Sequence, residues 1–147
     1  MRIDKDRIQN YLQDIKSCVN EIENLIIQYS NSEILSQPWL LRGLKYLLIE
    51  ISEIMANTLM HILAKDKGKS VSGYIETIVK AGETGVLPKD LAERLKPIFD
   101  FRNSLVHRYW TISDESLLSF VRENYKSFLN FIEEVERYIK NSQRRKR

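Results

Sequence analysis

The stretch RNSLVHRYW, residues 102 to 110, places Arg102, Asn103, His107 and Tyr109 around two apolar residues, Leu105 and Val106. An unperturbed imidazole titrates at about 6.5, and proton transfer is most efficient near the working pH, so His107 is the natural proton carrier of the group. Arg102 can grip a pair of anionic oxygens through two parallel hydrogen bonds and hold charge that grows on them, a task for which lysine is a poorer substitute. Asn103 carries an amide that both donates and accepts, suited to orienting His107.

Whether one helix can assemble these groups is a question of angles. At about 100° per residue, Asn103 and His107 share a face, whereas Arg102 lies about 140° from His107 and Tyr109 about 200° from it. The helix is therefore expected to end around Val106 or His107. His107 and Tyr109 would then point the same way in an extended turn, pinned to the core by Leu105 and Val106. An Arg with a nearby His and Asn can equally cap a helix C-terminus, where cations are favoured.

The elements that must hold this segment are all helical. From Ile3 to Tyr29 apolar residues such as Ile8, Leu12, Ile15, Val19, Ile22 and Ile26 recur at intervals of three and four, the pattern of an amphipathic helix. SNSEILSQP breaks that pattern, and Pro38 sits where a second helix can begin. This helix, about Trp39 to Lys65, has an apolar set too wide for one stripe, so it is expected to be the most buried, stopping at Gly68. A short helix follows from about Val71 to Ala81, closed by Gly82. Pro88 and Asp90 open another, which Pro97 should kink or split near Lys96. Ser113 is a plausible N-cap for the last helix, with Asp114 and Glu115 in its first turn and apolar positions through Ile139. The expected fold is all-α, an up-and-down bundle of four to five helices.

A chain of 147 residues suits one domain, assigned here to 1–142 and followed by a basic tail, 143–147. Of the net charge of +3, Arg144, Arg145, Lys146 and Arg147 supply four positive charges, leaving a body of about −1. No bulk basic field argues for nucleic acid, so that case rests on a site. Cys18 is the single cysteine, which excludes an internal disulfide and fits a reducing, cytoplasmic compartment. The start, MRIDKDRIQNY, has charges where a secretory leader needs an apolar run, and no segment is expected to approach the roughly 20 apolar residues of a membrane span. With no glycine-rich phosphate loop, no Cys and His cluster and no Ser-centred nucleophile motif, neither cofactor nor metal is expected.

RNSLVHRY fits the pattern R-x-x-x-x-H-x-Y, and with it the chain resembles the HepT-like toxin branch of the HEPN superfamily. The resemblance runs over nearly the whole chain, including RGLKYLLIEISEIMANTLMHIL, GVLPKDLAERL and the Asp114, Glu115, Ser116 opening of the last helix. It implies a metal-independent endoribonuclease toxin of a type VII-like toxin–antitoxin pair, a symmetric dimer whose signature residues line the cleft at the two-fold interface. It also implies a minimal nucleotidyltransferase antitoxin that silences the toxin by transferring AMP to the motif tyrosine, here Tyr109. On that reading the 2′-OH of RNA is deprotonated and attacks the adjacent phosphate, leaving a cyclic phosphate and a 5′-OH. His107 carries the proton, Arg102 holds the phosphate, Asn103 supports either, and Tyr109 bonds phosphate or stacks on a base. Cleavage wants a base and an acid while the motif holds one histidine, so two His107 side chains meeting across the dimer would supply both.

Glu53, Asn57 and His61, spaced four apart, form a row on the second helix. In the family this row commonly reads Glu, Asp, His. Asn57 departs from it, which removes any carboxylate role at that position and leaves Glu53 as the candidate to pair with Arg102 or fix His107. His61 fits a hydrogen-bonded histidine at the buried edge of its helix better than a cleft residue. Arg42 is either a phosphate contact or a surface charge. Trp39, Tyr46 and Trp110 could stack on bases, but core or dimer contacts suit them better. The rival to the nuclease is a non-catalytic helical dimer module that binds a nucleotide or a protein partner in the same cleft.

Overall fold

The computed structural model describes residues 2–107 and 113–145, with His107 described by its backbone alone. Tyr109 and Trp110 lie outside the described residues. Six helices are present among those described: α1 Lys5–Gln28, α2 Asn31–Ser36, α3 Pro38–Asp66, α4 Tyr74–Glu83, α5 Lys89–His107 and α6 Asp114–Arg145. The all-α expectation holds, with one helix beyond the expected four to five.

Side-chain ties fix the directions of the long helices. Asp4 N–H donates to His61 Nε2 at 2.9 Å and the Cys18 thiol to Glu50 at 3.1 Å, so α1 and α3 run antiparallel. Lys45 pairs with Asp114 at 3.0 Å, while Ser142 donates to Asp66 at 3.0 Å, so α3 and α6 run parallel at the two ends of the bundle. α4 packs along α5 as a helical hairpin, and both lean on α3. The result is an up-and-down bundle of α1, α3, α5 and α6 with two short helices inserted, built on a core that includes Ile15, Ile51, Phe99, Phe128 and Phe131.

α2 corrects the expectation that 30–38 is only a break. Ser30 Oγ accepts from Glu33 N–H and Glu33 returns the bond to Ser30 N–H, a capping box that starts a turn of helix whose Ile34 is fully buried. α3 corrects another expectation: by length and composition it could cross a membrane, but 56% of its most apolar window is buried within this fold, so it is the core helix. Pro97 does not split α5, which continues through it. An interior proline costs about 3 kcal/mol. Ile98 and Phe99 beside it are fully buried, each returning about 1.5–3 kcal/mol, and that outweighs the break.

Gly82 does not close α4 either. It sits inside the helix because a Cβ there would lie 2.9 Å from the Ala92 Cβ, so glycine permits the close crossing of α4 on α5. The left-handed turn falls to Gly85, φ +79°. Gly68 behaves as expected: at φ +62° it turns the chain so that Lys69 N–H reaches back to the Leu63 carbonyl at 2.9 Å. α1 has no basic residue in its last turn. Arg122 of α6 supplies one, donating to the carbonyls of Ile26 at 2.6 Å and Tyr29 at 2.8 Å and to Asn31 Oδ1 at 2.5 Å. At the far end Asp66, with a side chain only 7% exposed, accepts from Tyr138 and Ser142 and pairs with Arg145 at 3.8 Å. α6 therefore runs three residues into the stretch expected as a basic tail.

Candidate active site

Arg102 stands near the C-terminal end of α5 and faces the middle of α3. Its Nη2 donates to Glu53 Oε1 at 3.2 Å and its Nη1 to Asn103 Oδ1 at 3.3 Å. The face of the guanidinium rests on Tyr74, the first residue of α4, with Cζ 4.0 Å from the ring centroid. The Nε is buried with no hydrogen-bond partner among the described residues. The Arg102 side chain is 15% exposed and that of Glu53 41%. A charge so covered must be paired and oriented, and here a carboxylate, an amide and a ring do so. Arg102, Asn103 and Glu53 are therefore brought together as the sequence suggested.

The row on α3 divides. Glu53 turns to Arg102, Asn57 is exposed, and His61 is buried. His61 Nε2 accepts the backbone N–H of Asp4, the hydrogen-bonded histidine of the plainer expectation. Burial first, then the charges of Arg7 and Lys65, hold its pKa below the ordinary value, against the opposing pull of Asp4. Leu105 packs against the core as expected, whereas Val106 does not pin the segment: it is 44% exposed. α5 extends to His107. The His107 side chain and Tyr109, the other expected site residues, lie outside what the structure describes.

Trp39 and Tyr46 are surface residues, 68% and 63% exposed, so they are not core contacts. Gly43 between them has nothing within 4 Å of where its Cβ would stand. At helical spacing Trp39, Gly43, Tyr46 and Glu53 form one stripe, so the aromatic face of α3 leads directly to the Arg102 pair. Arg42 is exposed close by.

Tyr74 was not foreseen. It shares the buried side of α4 with Thr77, Ile78 and Ala81, at the i, i+3, i+4, i+7 spacing of one helix face, so periodicity reads it as core packing and not as part of a site. The one local signal is the glycine before it.

Comparison with known proteins places the chain in a family. A protein of Archaeoglobus fulgidus named "Putative RNase" is 32% identical over 130 residues, covering 88% of this chain and 93% of that protein. The tri-AMPylated HEPN toxin of Shewanella oneidensis, solved in complex with an MNT antitoxin, superposes with a TM-score of 0.81 at 19% identity, covering 89% of this chain and 97% of that one. A mutant of the MntA–HpeT toxin–antitoxin pair superposes with a TM-score of 0.76, also at 19% identity, covering 89% and 98%. At that identity the two structures establish the shared fold. The model of the family described as "Ribonuclease HepT-like" matches residues 8–135, and the chain belongs to that family.

Proposed function

We propose that this protein is an endoribonuclease that cuts RNA by attack of its own 2′-OH on the adjacent phosphate, with Arg102 holding the phosphate and His107 moving the proton. The observation that carries the reading is Arg102 itself. A guanidinium that a carboxylate, an amide and a ring hold at 15% exposure is fixed in direction before any substrate arrives, and donors fixed in advance are worth most where charge develops. Asn103 shares in this by accepting from Arg102. His107 follows Arg102 at the family spacing, and histidine is the one residue type in the motif whose unperturbed pKa, about 6.5, suits proton transfer near neutrality.

The working form on this reading is a symmetric dimer in the cytoplasm. Support comes from the α3 stripe of Trp39, Gly43 and Tyr46. Exposed aromatics beside a glycine suit the close approach of a second copy, and the stripe leads to Glu53, so pairing there draws two sites, and two His107 residues, together. The partner that silences the site is a minimal nucleotidyltransferase, and Tyr109 is the residue that receives AMP. The solved toxin that this fold matches is itself AMPylated and bound to such an antitoxin.

The decisive experiment expresses the wild type, Arg102→Ala and His107→Ala without the partner and follows growth and RNA integrity. Only the wild type is expected to degrade RNA. Equal behaviour of all three would replace the nuclease with the non-catalytic binding module. Co-expression with the nucleotidyltransferase is expected to add mass to Tyr109 in multiples of AMP, and an unmodified tyrosine in a silenced complex would mean steric blocking instead.

A further inference from the structure

We propose that Tyr74 is a positioning residue for Arg102, delivered to the site by the strained entry into α4. Tyr74 stacks on the guanidinium at 4.0 Å, on the face that neither Glu53 nor Asn103 contacts through its hydrogen bond. The contact is built rather than incidental. Gly73, the N-cap of α4, has φ +83° and ψ 163°, a region essentially closed to residues with a Cβ. That backbone state sets the direction in which the next residue leaves the turn, and the next residue is Tyr74.

The turn is fastened on both sides of the glycine. The Gly73 carbonyl accepts from Thr77 N–H at 3.3 Å and from Thr77 Oγ1 at 2.7 Å. Ser72 donates its N–H and its hydroxyl to Glu76 Oε2, each at 3.1 Å. A Cβ on Gly73 would meet nothing within 4 Å, so packing does not require glycine there; the dihedral angle does. Strain retained where packing does not demand it points to a use, and the group it serves is the ring on Arg102.

With two donors committed to Glu53 and Asn103 and one face covered by the ring, the guanidinium cannot swing or flip. Nε–H is buried, so the second N–H of each Nη is what remains for phosphate. Stacking confers this without consuming a donor, which a second carboxylate could not do.

Only the enzymatic readout of this proposal rests on the ribonuclease reading. Tyr74→Leu keeps apolar bulk and removes the ring; Tyr74→Phe keeps the ring and removes the hydroxyl, which the stack does not use. We expect the Leu variant to lose roughly tenfold in kcat on single-stranded RNA, with a smaller change in KM, and the Phe variant to match the wild type. In the proton–nitrogen NMR spectrum the Arg102 Nε–H signal should carry a ring-current displacement in the wild type and Phe variant that disappears in the Leu variant. Gly73→Ala, which keeps the ring but opposes the φ that delivers it, should reproduce both effects of the Leu variant and serves should that variant fail to fold. An Arg102 signal unmoved in Leu or Ala, or a Phe variant as impaired as Leu, would overturn the proposal. If the wild type cleaves no RNA at all, the nuclease reading falls, and the NMR displacement alone decides for or against the clamp.

Discussion

Replacing Glu53 by Gln isolates what its charge does to the site. Arg102 Nη2 and Glu53 Oε1 are 3.2 Å apart, which at an effective dielectric of about 20 corresponds to roughly 5 kcal/mol of attraction before desolvation. Glu53 is 41% exposed, so water returns most of that, and the net loss of stability in Glu53→Gln should be about 1 kcal/mol. The amide oxygen of Gln still accepts from Arg102, so the guanidinium stays in place. What disappears is a negative charge that opposes the phosphate. Across the guanidinium a bound phosphate would lie about 6–7 Å from the carboxylate, and with water between them, at an effective dielectric of about 50, the repulsion is about 1 kcal/mol or about fivefold in affinity. Two measurements on the same variant decide it: urea unfolding, and fluorescence anisotropy with an RNA whose 2′-OH groups are replaced by hydrogen so that it cannot be cut. The expected outcome is a less stable protein that binds RNA more tightly. Equal or weaker binding with unchanged stability would refute the view of Glu53 as the counter-charge of the phosphate grip.

Two further outcomes follow from ties elsewhere in the bundle. His61 accepts a backbone N–H and so must be neutral, and its folded pKa is depressed; its contribution is therefore complete above the unfolded value of about 6.5 and is lost as pH falls through the lower, folded value. Denaturation at about pH 7.5 and about pH 5 should show that loss in the wild type and not in His61→Gln, whose side chain does not titrate. Arg122→Ala removes three hydrogen bonds at the end of α1 and should cost about 2 kcal/mol in thermal or urea unfolding without weakening RNA binding.

The parts of this molecule that were legible in the sequence are those governed by local or periodic rules. α1, α3 and α6 announce themselves by spacing, Ser113 caps α6 by accepting from Ser116 N–H at 3.1 Å, and Glu53 meets Arg102 because a residue type and a family pattern both pointed there. α2 was equally legible, since Ser30 and Glu33 spell a capping box, but its six residues are too short for periodicity to register. The splitting of α5 at Pro97 and the closing of α4 at Gly82 were misjudged for one shared reason. Each residue was weighed by its own backbone preference, while buried neighbours in one case and the Ala92 Cβ in the other decide the outcome. Tyr74 lay beyond reach because its partner belongs to a different helix and no sequence interval connects the two.

The crossing at Gly82 and Ala92 acts on the site as a fulcrum. Tyr74 rides α4 and Arg102 rides α5, both far from the pivot, and at a rise of 1.5 Å per residue the arm from Gly82 to Tyr74 is about 12 Å long. Opening the hairpin by some 5° would carry the ring about 1 Å away from the guanidinium over such an arm. A single methyl group introduced at the pivot could thus detune the chemistry from a distance, so the smallest residue in the hairpin sets the tolerance to which the largest charge in the site is held.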